Sequence, residues 1–177
     1  HDVTDEAAWR LVLARTLDAF GTLDVLVNNA GMSIHGGIES TSIADLRKVM
    51  AVNHDGLFLG IKTCVPALAE AHTRHAGGGA IVNNLSMASY MSNAGNIGYH
   101  VSKAAGRMLT LCAANEFGPR RIRVNSIHPG VTMTPLIREG LRDYVQAGLW
   151  PSEDEAENAL AAMSWLKTTS QPEDTAH

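Results

Sequence analysis

Apolar positions recur along this chain in two alternating rhythms. Trp9, Val12, Leu13, Leu17 and Phe20 fall at the spacing of one helical face, and Gly21 stops the run. Asp2-Val3 just ahead reads as the end of a strand. Thr4 then serves as the helix cap, with Asp5 and Glu6 in the first turn, where carboxylates meet the positive end of the helix dipole. Leu23 to Val27 is a short unbroken apolar run ending in Asn28-Asn29-Ala30-Gly31, the pattern of a buried parallel strand running into a turn. Ser42 followed by Asp45 forms a capping box. It opens a long helix with Leu46, Val49, Met50, Leu57, Phe58, Ile61 and Val65 on its apolar side, which Pro66 kinks or ends. Gly77-Gly78-Gly79 breaks the chain before a second strand, Ala80 to Asn84. A loop rich in Ser, Asn and Gly leads to a helix from Ile97 to Phe117, closed by Gly118-Pro119. Ile122 to Ile127 is a third strand, closed by Pro129-Gly130. Helical patches follow from Pro135 to Ala147 and from Glu153 to Leu166.

Helices alternating with apolar strands, without repeats or a linker, predict an α/β layered fold around a parallel sheet. The 177 residues suit one domain, with 45% apolar and 18% charged residues and a formal charge of −4. That mild acidity without a basic run speaks against nucleic-acid binding. No apolar stretch approaches the roughly 20 residues needed to span a bilayer. Two cysteines, Cys64 and Cys112, make no disulfide framework and point to a reducing cytosol; both fall in apolar helical stretches, as buried thiols do. Eight histidines invite a metal reading, yet His72 and His75 have no Cys or carboxylate pattern to complete a site, so no metal is expected.

The chemistry concentrates in Tyr99-His100-Val101-Ser102-Lys103. Tyr and Lys at i and i+4 project from one helical face. An ammonium beside a phenol stabilises phenolate and lowers its pKa from about 10, which makes a general base for an alcohol or an acid for a ketone. Alone, the same spacing fits an exposed surface pair. Ser86 lies 13 residues earlier, just past the second strand. In an open α/β sheet that carboxyl edge is where ligands bind, so its hydroxyl can orient a substrate oxygen; it equally fits a turn or a cap. Asn53 sits inside the long helix among core-facing positions. It is either a satisfied core amide, a local kink, or a group that holds a water in a proton path. Asn28-Asn29-Ala30-Gly31 and Pro129-Gly130-Val131-Thr132-Met133-Thr134 also follow strands, so three strand ends carry small or polar residues that admit a ligand.

Taken together, Asn28-Asn29-Ala30-Gly31, Asn53, Ser86, Tyr99-x-x-x-Lys103, and Pro129-Gly130 with Thr134 resemble the short-chain dehydrogenase/reductase family, over Asp2 to about Pro135. His128-Pro129-Gly130 looks closest to the bacterial hydroxysteroid and alicyclic-alcohol dehydrogenases. The resemblance implies a Rossmann-like, doubly wound parallel sheet and an oxidoreductase that interconverts a secondary alcohol and a ketone. In it Tyr99 is the acid/base, Lys103 lowers its pKa and binds the nicotinamide ribose, Ser86 holds the substrate oxygen and Asn53 anchors a relay water. Asp2 and Val3 would lie against the adenine. Asn29, Ala30 and Gly31 would line the ribose and the middle of the dinucleotide, and Pro129, Gly130, Thr132 and Thr134 would bracket the nicotinamide. The cofactor would be NAD or NADP, with NAD the expected one of the two, and the partners a small alcohol or ketone and further copies of the chain in a dimer or tetramer. A non-catalytic dinucleotide-binding member is the alternative.

Leu85 stands where the family often has a second Ser. No Gly-x-x-x-Gly-x-Gly or Gly-x-Gly-x-x-Gly turn occurs to cradle a pyrophosphate. The 177 residues are therefore expected to be a partial single domain of an α/β unit nearer about 250 residues, without its first two strands and its last. Such a fragment is expected to be inactive by itself.

Overall fold

A computed structural model describes residues 1–146 and 148–176. They form two compact units, one from His1 to His128 and one from Pro129 onward.

The first unit is built on three parallel strands in the order β1-β2-β3: β1 (Val25–Asn28), β2 (Gly79–Asn84) and β3 (Ile122–Ile127). Leu26 pairs with Ile81, and Ile81 with Val124, so these apolar side chains share one face of the sheet. Parallel neighbours need helical crossovers. They are supplied by α2 (Ile43–Met50), α3 (Gly56–Ala69) and α4 (Ile97–Phe117), with α1 (Glu6–Phe20) against α3. Trp9, Leu57, Ile61, Leu68, Ile81 and Ile122 form the centre of the core. This is the Rossmann-like parallel arrangement that the resemblance implies.

Helix boundaries follow their capping chemistry. Ser42 Oγ accepts from Asp45 N–H at 3.0 Å, completing the expected box. Gly21 closes α1 with φ 72°. The α1 start corrects the sequence reading: Asp5, not Thr4, is the cap, its carboxylate accepting from Ala7 N–H at 2.8 Å. Thr4 instead donates from both N–H and hydroxyl to Asp2, and Asp2-Val3 lies outside any strand, with Val3 entering a turn. The first strand begins at Val25 rather than Leu23, and it is not buried on both sides: Val25 and Val27 are 53% and 59% exposed. An apolar run reads alike whether one or both faces are covered, and α3 covers only the Leu26 face. Phe58 and Cys112 also lie exposed, off the apolar stripes of α3 and α4, whereas Cys64 is buried and its thiol is pushed up to about 11.

A buried polar line ties the sheet to α4. Asn28 Nδ2 donates to Asn83 Oδ1 at 2.9 Å, Asn83 Nδ2 donates to Thr110 Oγ1 at 3.0 Å, and Thr110 donates to Gly106 O. Asn83 is fully buried. Asn83→Leu keeps the volume and strands the Asn28 donor, so it is expected to cost about 2–3 kcal/mol, read as a lower urea midpoint at unchanged slope.

The second unit holds α5 (Pro135–Gln146), α6 (Glu153–Met163) and the short α7 (Pro172–Ala176). Met133, Leu141 and Ala156 form its core. The expected end of α5 at Ala147 lies outside the described residues. Helix α6 stops at Met163 rather than Leu166, and Trp165 and Leu166 are exposed.

Candidate active site

The carboxyl edge of the sheet gathers the chain where β1 and β2 end. Asn84 Nδ2 donates to Asn29 Oδ1 at 2.7 Å across the two strand ends. The loop after β1 pins the start of α4: Ile97 N–H donates to Gly36 O at 3.1 Å, Gly36 N–H to Gly95 O at 2.8 Å, and Asn96 Nδ2 to Ser33 Oγ at 2.9 Å. Gly98, Ser102 and Gly106 lie on the inner face of α4. A Cβ on Gly106 would stand 2.8 Å from a Leu85 methyl, so the helix approaches the end of β2 as closely as its glycine permits.

That placement brings the expected groups together. Tyr99 and Lys103 share a face, with Nζ 5.5 Å from the phenol ring centre. Ser86 lies beside the Tyr99 side chain and favours its phenolate, and its Oγ accepts from Ala88 N–H at 3.1 Å. Ser89 Oγ donates to Lys103 O at 3.0 Å and binds this turn to α4. Lys103 is 5% exposed, and its Nζ donates to Asn84 O at 3.0 Å.

Burial acts on both ionisable groups by penalising the charged form. It lowers Lys103 to about 8. It raises the Tyr99 phenol, against the opposing pull of the Ser86 hydrogen bond. The dominant influence on Tyr99 is thus opposite in sign to the lowering expected from Lys103, and Ser86 is the contact that favours phenolate.

Asn53 lies where the long helix widens into a π turn, Ala51–Asp55, with Gly56 N–H reaching Ala51 O. Its Nδ2 donates to Met32 O and to Ser102 Oγ, both at 2.9 Å, and its Oδ1 accepts from Met32 N–H at 2.8 Å. The side chain is a satisfied core amide that staples the turn after β1 to α4. Gly31 passes beside it: a Cβ there would lie 3.4 Å from Lys103 Nζ and 3.6 Å from Asn53 Oδ1.

Next to these groups opens a cleft of about 180 Å³ lined by Val3, Trp9, Asn29, Ala30, Asn53 and Asn84, among others. Three residues expected against the adenosine side, Val3, Asn29 and Ala30, therefore share one cleft. Asp2 is not in its lining; its carboxylate is held below the ordinary range by the Thr4 backbone and hydroxyl. Pro129, Gly130, Thr132 and Thr134 belong to the second unit, where Thr132 Oγ1 bonds Ser170 Oγ at 2.9 Å and Thr134 Oγ1 accepts from Ile137 N–H at 3.4 Å.

Sequence reasoning missed several contributors. Ser102 and Asn84 hold Asn53 and Lys103, and His128 reaches the Ser86 carbonyl at 3.1 Å. The signal for His128 was its position one residue past β3, beside the residues that follow β2. Among the described residues no group of three or more His, Cys, Asp or Glu is placed to hold a metal.

Comparison with known proteins identifies the family. The sequence model of the short chain dehydrogenases matches residues 1–144. The 2,5-dichloro-2,5-cyclohexadiene-1,4-diol dehydrogenase LinX of Sphingobium indicum is 42% identical over 135 residues, covering 76% of this chain and 52% of that protein. Trans-4-hydroxycyclohexanecarboxylate dehydrogenase of Sinomonas cyclohexanicum is 38% identical over 148 residues, covering 84% and 55%. The 3-alpha-(or 20-beta)-hydroxysteroid dehydrogenase of Mycobacterium tuberculosis is 38% identical over 156 residues, covering 88% and 58%. The chain thus spans little more than half the length of these relatives. Among solved structures, ElxO with NADP bound superposes with a TM-score of 0.82 at 29% identity, covering 99% of this chain and 66% of that one.

Proposed function

This chain belongs to the short chain dehydrogenase family, and from that premise we propose that the intact protein is an NAD(P)-dependent oxidoreductase interconverting a secondary alcohol and a ketone, with Tyr99 as the acid/base. The observation that carries this reading is the meeting of Ser86 and Lys103 with Tyr99 at the carboxyl edge of the sheet, beside a cleft. The residues suit a dinucleotide. Val3, Asn29 and Ala30 would face its adenosine side, and the bare backbone of Gly31 leaves room in front of Lys103; the nicotinamide side is assigned to Pro129, Gly130, Thr132 and Thr134 by the family resemblance alone. Asp2 would contribute through its backbone, since its carboxylate is engaged with Thr4.

When bound, the nicotinamide supplies the hydride acceptor and donor. The chain supplies the proton chemistry. In alcohol oxidation the Tyr99 phenolate accepts the hydroxyl proton while Ser86 holds the same oxygen. Lys103, protonated below about pH 8, opposes there the burial that raises the phenol. Asn53, with both Nδ2 protons spent on Met32 and Ser102, would hold the water that carries the proton onward through the second lone pair of Oδ1.

The relatives named for ring alcohols and hydroxysteroids favour a ring-bearing secondary alcohol as substrate. The two free thiols fit a reducing cytosol. A homodimer or homotetramer is supported by the stripe of Val101, Met108 and Leu111 that α4 exposes at helical spacing, with Phe58 exposed on α3. The test is turnover of hydroxysteroids and substituted cyclohexanols by the intact protein, with NAD+ and NADP+ in parallel, followed at the reduced-nicotinamide band. Oxidation is expected with at least one dinucleotide, at a rate that rises with pH as Tyr99 loses its proton. Absence of turnover with both refutes the reading.

A further inference from the structure

We propose that His128 is a positioning residue for Ser86: its imidazole, protonated on Nδ1, clamps the Ser86 carbonyl and so sets where the Ser86 hydroxyl meets Tyr99. The inference rests on the function proposed above. Leu85 N–H donates to Ile127 O at 3.0 Å, which extends the β2–β3 ladder one step past its last pair, Asn84 with Ile127. The ladder then loses its backbone donor, because residue 129 is proline and has no N–H. That missing rung faces Leu85 O; the His128 side chain reaches the next carbonyl along, with Nδ1 3.1 Å from Ser86 O.

A carbonyl oxygen can only accept, so Nδ1 must carry the proton. In the neutral ring Nε2 is then an acceptor, and Ser126 Oγ, 2.9 Å away, donates to it. The ring plane is fixed from the side by Tyr90, edge-on at 4.8 Å between ring centres, and Tyr90 is itself covered by the Arg107 guanidinium 4.7 Å from its centre. Ser86 is extended, φ −174°, with its carbonyl held by His128 and its Oγ held by Ala88 N–H. Both the carbonyl and the hydroxyl of Ser86 are thus restrained, on the residue that faces the Tyr99 phenol. His128 is not among the residues that line the cleft.

The test is a double-mutant cycle in the intact protein. His128→Phe keeps a ring against Tyr90 and removes the donor; His128→Asn keeps an amide N–H near the place of Nδ1. His128→Phe is expected to lower kcat about tenfold with KM changed less than about twofold, as one lost hydrogen bond acting on the reacting group would. His128→Asn is expected to recover most of that loss. In a Ser86→Ala background His128→Phe is expected to do nothing further, since the hydroxyl it aims is gone. A loss that multiplies with that of Ser86→Ala, or a folded His128→Phe protein with normal kcat, overturns the proposal. The nitrogen-15 spectrum of labelled histidine gives a readout independent of turnover: the Nδ1–H tautomer is expected, and Nε2–H overturns the clamp. An intact protein that oxidises no alcohol, yet shows the Nδ1–H tautomer, refutes the function and leaves the clamp standing.

Discussion

Tyr99→Phe in the intact protein is expected to lower kcat for alcohol oxidation about 10²–10⁴-fold, the range for loss of a positioned general base. The substitution removes one oxygen from a half-buried ring, so packing against α4 and the Lys103 contact to Asn84 O survive. Dinucleotide affinity, measured by calorimetry, should stay within about threefold of the parent because the loss acts on the reacting proton rather than on binding. The size of the effect follows from the absence of a substitute. The Ser86 hydroxyl is engaged with Ala88 N–H and the phenol, Lys103 is committed to Asn84 O, and Asn53 is committed to Met32 and Ser102. Turnover within tenfold of the parent would remove Tyr99 from the chemistry. The pH dependence has a definite sign. Oxidation requires phenolate and rises with pH; ketone reduction requires the phenol and falls. Burial, which raises Tyr99, places both limbs further to the alkaline side than Lys103 alone would.

Gly78→Ala is expected to cost about 2–5 kcal/mol, a large part of a stability that is itself about 5–15 kcal/mol. Gly78 has φ +66°, where a side chain crowds its own backbone. A Cβ there would also fall inside contact distance of the Arg121 carbonyl oxygen, which is backbone and cannot swing aside. That same carbonyl accepts from Gly79 N–H at 3.0 Å, at the mouth of the β2–β3 pair. Relief of the clash would therefore pull the first rung of the ladder apart. Urea unfolding should show a lower midpoint at equal slope, and Gly77→Ala, whose Cβ meets open space, is the control expected to stay close to the parent. A Gly78→Ala protein within 0.5 kcal/mol of the parent, on the order of a neutral surface change, would refute the account.

Local chemistry made much of the molecule legible in the sequence. The runs at β2 and β3 and the helix from Ile97 to Phe117 were readable because Gly and Pro stop them and because their periodicities differ. The Tyr99/Lys103 pair was readable because a helix alone puts i and i+4 on one face. The α1 start was misread because Thr4 and Asp5 are both good caps, and only the turn at Asp2 decided which one faces the free N–H groups. Phe58 and Cys112 were placed with the core because a long apolar helix does not say which of its faces meets the sheet.

What the sequence determined by itself is the order of helices and strands, the parallel class of the sheet, and the residue types able to move a proton. What only the tertiary structure decided is which side of β1 stays open, that Asn53 spends its amide on Met32 and Ser102, that burial rather than the Lys103 charge dominates at Tyr99, and that His128 reaches the Ser86 carbonyl. The reason is physical. Periodicity and capping act within a few residues, whereas desolvation and the partners of a buried polar atom are set by segments 21 to 49 residues apart in the chain, as Asn53 is from Met32 and Ser102.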